Sequence, residues 1–125
     1  MEVILSNSSG KPIYEQIMLQ IKGQILSGKL KKGDALPSIR VLARELRISV
    51  ITTKRAYDEL EREGLLCSVA GKGTFVAADN LTRLQEERLK EIEAMLRQAV
   101  GLAKEYGISL EEIQQILTLF DQEEQ

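Results

Sequence analysis

Two short amphipathic patterns, separated by only three residues, constrain this chain more than any other feature in it. In the first, Ile39, Leu42, Ala43 and Leu46 recur at spacings of three, one and three, which places them on one stripe of a helix. Pro37 suits the entrance, where its missing N–H costs little, and Ser38 can accept from the orphan amides of the turn that follows. In the second pattern Thr53, Ala56, Tyr57 and Leu60 repeat the stripe behind Ser49, another capping candidate. Only Arg47, Ile48 and Ser49 lie between. So short a connection makes the two helices cross steeply, with Ile48 as the apolar plug beneath the turn.

After Gly64 the period changes. Leu65 to Val69 reads as a strand, Ala70-Gly71-Lys72-Gly73 as a turn rich in the residue that tolerates positive φ, and Thr74-Phe75-Val76 as a second strand. Helix, tight turn, helix and glycine-tipped hairpin in that order form a winged helix-turn-helix, which presents its second helix to a DNA groove. The chemistry of that helix agrees. At 100° per residue, Ile51, Arg55 and Asp58 point away from the core stripe, Lys54 lies on the flank, and Val50 stands at the start. From Arg40 to Arg55 the bases are Arg40, Arg44, Arg47, Lys54 and Arg55, against Glu45 alone. Lys72, at the hairpin tip, suits a phosphate or the minor groove.

These residues resemble the DNA-binding domain of the GntR family of bacterial transcription regulators. The likeness runs from Pro12-Ile13-Tyr14 with Gln16-Ile17, through Leu36-Pro37-Ser38 with Arg40, and Ala56-Tyr57 with Leu60-Glu61 and Gly64, to Gly71 and Gly73-Thr74-Phe75-Val76. The short remainder, without room for a large ligand-binding domain, is similar to the YtrA-like short subfamily. The resemblance implies DNA contact by Arg40, by Ser49, Val50, Ile51, Thr52 and Lys54, and by Gly71 and Lys72 in the wing. It also implies a homodimer, most often a repressor, with a small-molecule effector as a possible further partner. One departure bears on specificity: Val50 and Ile51 stand where relatives often carry polar or Arg residues. Neither can donate to a base edge, and what they offer is apolar contact with thymine methyls.

The flanking segments complete the plan. Met1 to Gly10 is a polar lead, expected to be disordered or loosely attached. Pro12 opens a scaffold helix whose inner face carries Ile13, Ile17, Ile21, Ile25 and Leu26, with Gly28 as its stop; Tyr14 on it has a hydroxyl suited to a phosphate. Lys29 to Ala35 connects, with a turn at Gly33-Asp34. Asn80 is the expected cap of a long helix from Leu81 to about Tyr106. Along it Leu89, Ile92, Leu96, Ala99, Ala103 and Tyr106 form a heptad seam. Ser109 and Glu112 form a capping box before a last helix with Leu110, Ile113, Ile116, Leu117 and Phe120 on one face. The expected fold is therefore mainly α with a small β-hairpin: a winged helix-turn-helix domain over residues 1–78, then a helical dimerisation hairpin over 79–125. A second copy of the chain is the economical cover for the seam, and a two-fold pair matches a palindromic operator.

Charge divides at the same place. Residues 1–78 hold 12 Lys and Arg against 8 Asp and Glu, a net of +4, whereas residues 79–125 hold 5 against 11, a net of −6. The overall acidic balance hides a basic module. With no His, and with Cys67 as the one cysteine, the chain offers neither a nucleophile with its base nor a metal cluster, so no enzyme activity and no cofactor are expected. Cys67, inside an expected strand, reads as a small buried apolar residue. No apolar run is long enough to span a bilayer and no export signal opens the chain, so residence in the cytoplasm is the expectation. Two other classes stay open: a protein-interaction module on a winged-helix scaffold, and an architectural protein that binds DNA by charge alone.

Overall fold

The computed structural model describes residues 1–77 and 81–124. Its elements are α1 (Ile13–Leu26), α2 (Ile39–Leu46), α3 (Val50–Arg62), β1 (Leu66–Val69), β2 (Gly73–Val76), α4 (Leu81–Glu105) and α5 (Leu110–Glu123). Asn80, the expected cap of α4, lies outside the described residues. The chain divides into two compact units, Met1–Leu84 and Gln85–Gln125.

Local chemistry accounts for the helix pair of the first unit. The Ser38 hydroxyl accepts from the Val41 amide at 3.1 Å and starts α2. Arg47 ends it in the left-handed region at φ +58°, a conformation that costs a non-glycine residue about 1 kcal/mol. Amides of the turn return to the helix, Arg47 N–H to Arg44 O at 3.2 Å and Ile48 N–H to Ala43 O at 3.0 Å. Ser49 then caps α3. Ile17 and Ile21 of α1, Leu42 of α2 and Leu60 of α3 are fully buried together with Leu65, Leu66 and Val76 of the hairpin region. Each such side chain contributes about 1.5–3 kcal/mol by leaving water. Leu84, in the first turn of α4, joins the same core.

β1 and β2 pair antiparallel with Leu66 opposite Val76 and Val69 opposite Gly73. The strand begins one residue later than the sequence pattern suggests because Leu65 belongs to the exit of α3. Its amide donates to Leu60 O at 3.0 Å, beyond Gly64 at φ +80°. The connection before α2 is more than a turn. Gly33 N–H donates to Val76 O at 2.8 Å, Val76 N–H to Asp34 O at 2.9 Å and Leu36 N–H to Thr74 O at 2.9 Å, so Ala35 lies beside Phe75 as a third rung.

The polar lead is held in place, against expectation. Gln24 Nε2 donates to Glu2 O at 2.6 Å, Gln20 pairs with Ile4 through both main-chain groups, and Gln16 does the same with Ser6. Four helical residues advance about 6 Å and two extended residues about 6.7 Å, so side chains four apart on α1 meet alternate residues of the lead. Val3 and Leu5, between those rungs, pack against the core. Three glutamines thus take the part of a neighbouring strand for a segment whose composition alone looks unstructured.

In the second unit the α4–α5 corner is made by Gly107 at φ +70°, with Ile108 N–H donating to Ala103 O at 2.8 Å. The Ser109 hydroxyl accepts from the Glu112 amide at 3.2 Å and opens α5. Of the expected seam, Leu89, Ile92, Leu96 and Ala99 are exposed, whereas Ala103 is only 5% exposed because it sits under this corner. Tyr106 follows the last residue of α4 and stands in solvent. Leu110, Ile116, Leu117 and Phe120 of α5 are exposed and Ile113 is half-buried.

Candidate nucleic-acid interface

The amino-terminal half of α3 gathers most of the candidate residues. The Ser49 hydroxyl accepts from the Thr52 amide at 3.0 Å and donates to the Thr52 hydroxyl at 2.8 Å, so these two candidates are brought together as a cap. Below them the buried Thr53 hydroxyl donates to Ser49 O at 3.1 Å. Val50 and Ile51 follow, with Ile51 81% exposed. Val50 beside it is 45% exposed, so neither side chain is part of the core. Lys54 is not free: its ammonium lies 2.7 Å from the Asp58 carboxylate.

Charge changes sign along α3. Its first half bears Lys54 and Arg55, its second half and exit Asp58, Glu59, Glu61 and Glu63. Three of those acids are engaged with bases, Asp58 with Lys54 as above, Glu59 with Arg62 at 2.8 Å and Glu63 with Lys22 of α1 at 2.9 Å. The peptide dipoles add positive potential at the same amino-terminal end. That end can approach a polyanion, and the other repels one.

Arg40 occupies the second position of α2 and is exposed, without an ion-pair partner among the described residues. The approach of α2 to α3 is fixed by Tyr57, whose hydroxyl donates to Pro37 O at 2.8 Å. Burial, aided by the nearby Glu45 carboxylate, holds this phenol well above its ordinary pKa, so it remains a donor. In the wing Gly71 adopts φ +75°, and Lys72 N–H donates to Val69 O at 2.9 Å, which leaves the Lys72 side chain exposed at the tip. Glu61 ties this hairpin to α3, accepting from the Ser68 amide and hydroxyl at 3.2 Å each. The hydrogen bonds of Tyr57 and Glu61, and the stacking of Arg55 over the Tyr14 ring, join distant segments that no local pattern signals. Cys67 is half-buried in β1, less enclosed than its strand position suggests.

A capped recognition helix, the helix that braces it and a basic-tipped hairpin define a winged helix-turn-helix DNA-binding module. Residues 13–76 match the family model described as "Bacterial regulatory proteins, gntR family". The chain belongs to that family and is closely related to its YtrA subfamily. The HTH-type transcriptional repressor YtrA of Bacillus subtilis (strain 168) is 40% identical over 105 residues, covering 84% of this chain and 81% of its own length. A GntR family transcriptional regulator from Listeria monocytogenes superposes with a TM-score of 0.69 at 30% identity, over 89% of this chain and 96% of that one. The DNA-binding domain of AraR, solved in complex with operator ORX1, gives a TM-score of 0.54 at 32% identity over 62% of this chain and 96% of that one. The protein is thus a GntR-type winged helix-turn-helix transcriptional regulator and not an enzyme. Among the described residues no helix is long and apolar enough to cross a membrane.

Proposed function

We propose that this regulator is a homodimeric repressor that binds a palindromic operator through the first half of α3 and the wing, and occludes a promoter. The observation that carries the reading is the polarity of α3, with exposed Ile51 and the bases at its capped end and the acids beyond. Arg40 would read a guanine edge or clamp a phosphate, Val50 and Ile51 would meet thymine methyls, and Lys72 would hold the backbone beside the groove. Ser49 and Thr52, already paired, would reach a phosphate through their remaining hydroxyl capacity. The exposed Leu89, Ile92 and Leu96 support pairing of two chains through α4. Two relatives support the reading in kind: the Bacillus subtilis protein is named a repressor, and AraR was solved on its operator.

The experiment selects the preferred duplex from a random-sequence pool and titrates it against bulk DNA at fixed salt. A regulator prefers its site by about 10³ or more. Arg40→Ala weakens binding and relaxes preference at one base position per half-site, whereas Lys72→Ala weakens all sequences alike. If Ile51 meets a thymine methyl, uracil in place of that thymine weakens the wild type and leaves Ile51→Ala indifferent. Equal affinity for every sequence would overturn the reading in favour of an architectural protein, and no binding at all would favour an interaction module.

A further inference from the structure

We propose that Arg55 grips a DNA backbone phosphate and that the Tyr14 ring is the residue that positions it; the proposal rests on the operator reading above. The Arg55 guanidinium carbon lies 3.8 Å from the centre of the Tyr14 ring, so α1 supplies a platform for a side chain of α3. Stacking covers one face of the guanidinium. It leaves the in-plane N–H groups at its edge free to donate, and those are the groups that form the paired bonds to phosphate oxygens.

The neighbouring charges make the same distinction. Asp58 stands three residues from Arg55 and four from Lys54, and its carboxylate is bonded to Lys54. Arg55 has no acidic partner among the described residues and rests on the Tyr14 ring. Of the two bases in this turn, the obvious candidate is neutralised and the other is held open. Arg55 also lies one turn behind Ile51 on the same outer face, about 6 Å along the axis. With Ile51 at the base edges, a side chain one turn back stands where the strand borders the groove. Holding the planar group against a ring before binding reduces the entropy lost when it docks.

The test uses the full chain and a labelled duplex carrying the operator, with an unrelated duplex beside it, titrated at several salt concentrations. Arg55→Ala lowers affinity for both duplexes by about tenfold or more, since a phosphate contact carries no sequence information. It also flattens the log–log salt slope by about 1.8 when both subunits lose one contact. Tyr14→Phe keeps the ring and binds as the wild type does. Tyr14→Leu keeps an apolar side chain without the ring, melts near the wild type, and moves affinity and salt slope in the direction of Arg55→Ala. A wild type that binds the operator while Arg55→Ala keeps both affinity and slope overturns this proposal and leaves the operator reading standing. Tyr14→Phe as impaired as Tyr14→Leu overturns the role of the ring and assigns the contact to the hydroxyl. A wild type without affinity for either duplex overturns the operator reading itself.

Discussion

Lys54 Nζ and Asp58 Oδ2 lie 2.7 Å apart on the outer face of α3, so the free chain already holds a carboxylate against one of the bases nearest the expected groove. Both groups are well exposed, and a pair of this kind stabilises the helix by no more than about 0.5 kcal/mol. Its effect on DNA binding is larger, because Lys54 must be released or shared before it neutralises a phosphate, and Asp58 itself repels the backbone. Asp58→Asn therefore strengthens binding to operator and bulk DNA several-fold and steepens the salt slope by about 0.9 per subunit, with little change in melting temperature. Fluorescence anisotropy at a series of salt concentrations measures both. An unchanged slope would remove Lys54 from the phosphate contacts.

Tyr57 links stability to alkaline pH. Its hydroxyl donates to Pro37 O at 2.8 Å, and burial raises the phenol above the ordinary value of 10.0. The folded state thus keeps its proton to a higher pH than the unfolded chain does. The stabilisation is fully present below about pH 10 and drains away above it, by up to about 1.4 kcal/mol per pH unit until the folded phenol titrates. Tyr57→Phe loses about 1 kcal/mol at neutral pH, where Pro37 O is left without its donor, and removes this alkaline slope. Urea unfolding at pH 7 and above pH 10 separates the two effects. Parallel losses in wild type and variant would show that another group carries the alkaline transition.

The glutamine ladder on α1 predicts a graded response. Gln16 is buried and pairs with both main-chain groups of Ser6, Gln20 pairs with both groups of Ile4 at an exposed site, and Gln24 makes a single bond to Glu2 O. Alanine at these positions should loosen the lead in the order Gln16, Gln20, Gln24, with a stability loss of about 1–3 kcal/mol for the first. Amide exchange at Ile4 and Ser6 reads the loosening directly. Fast exchange at both amides in the wild type would mean that the lead does not rest on α1.

What was legible in the sequence was local. Ser38, Ser49 and Ser109 each sit just before an apolar stripe, and each accepts the amide three residues on. The glycines at 64 and 71 mark positive-φ positions that few other residues adopt without strain. The ladder was illegible because it matches a period of four on a helix to a period of two on an extended chain, and a glutamine on a helix usually faces water. The stacking of Arg55 on Tyr14 joins α1 to α3 and has no spacing rule to announce it. The third rung at Ala35 was hidden similarly, since a Lys- and Gly-rich connection carries no strand pattern and takes its geometry from β2. Ala103 fits the heptad, but the return of the chain into α5 covers it within its own unit.

Leu96 tests the pairing of two chains. It lies mid-seam on α4, 41% exposed, with Leu89 and Ile92 before it on the same stripe. Leu96→Glu keeps a good helix former in place but sets two like charges where two apolar faces are expected to meet, and carboxylates buried without partners are costly enough to split a small interface. Ala94→Glu puts the same charge on an exposed position of α4 opposite that stripe and should leave pairing intact. Because Leu96 is not among the core residues of the first unit, the winged domain of the variant should melt like the wild type and still touch a half-site weakly. Affinity for the full palindrome should fall by about 10² or more, since the second half-site is no longer met at the raised effective concentration a tether provides. Sedimentation should give a dimer for the wild type at micromolar concentration and a monomer for Leu96→Glu. A wild type that is monomeric both free and on DNA would remove this mechanism and leave the exposed face of α4 without a role in operator binding.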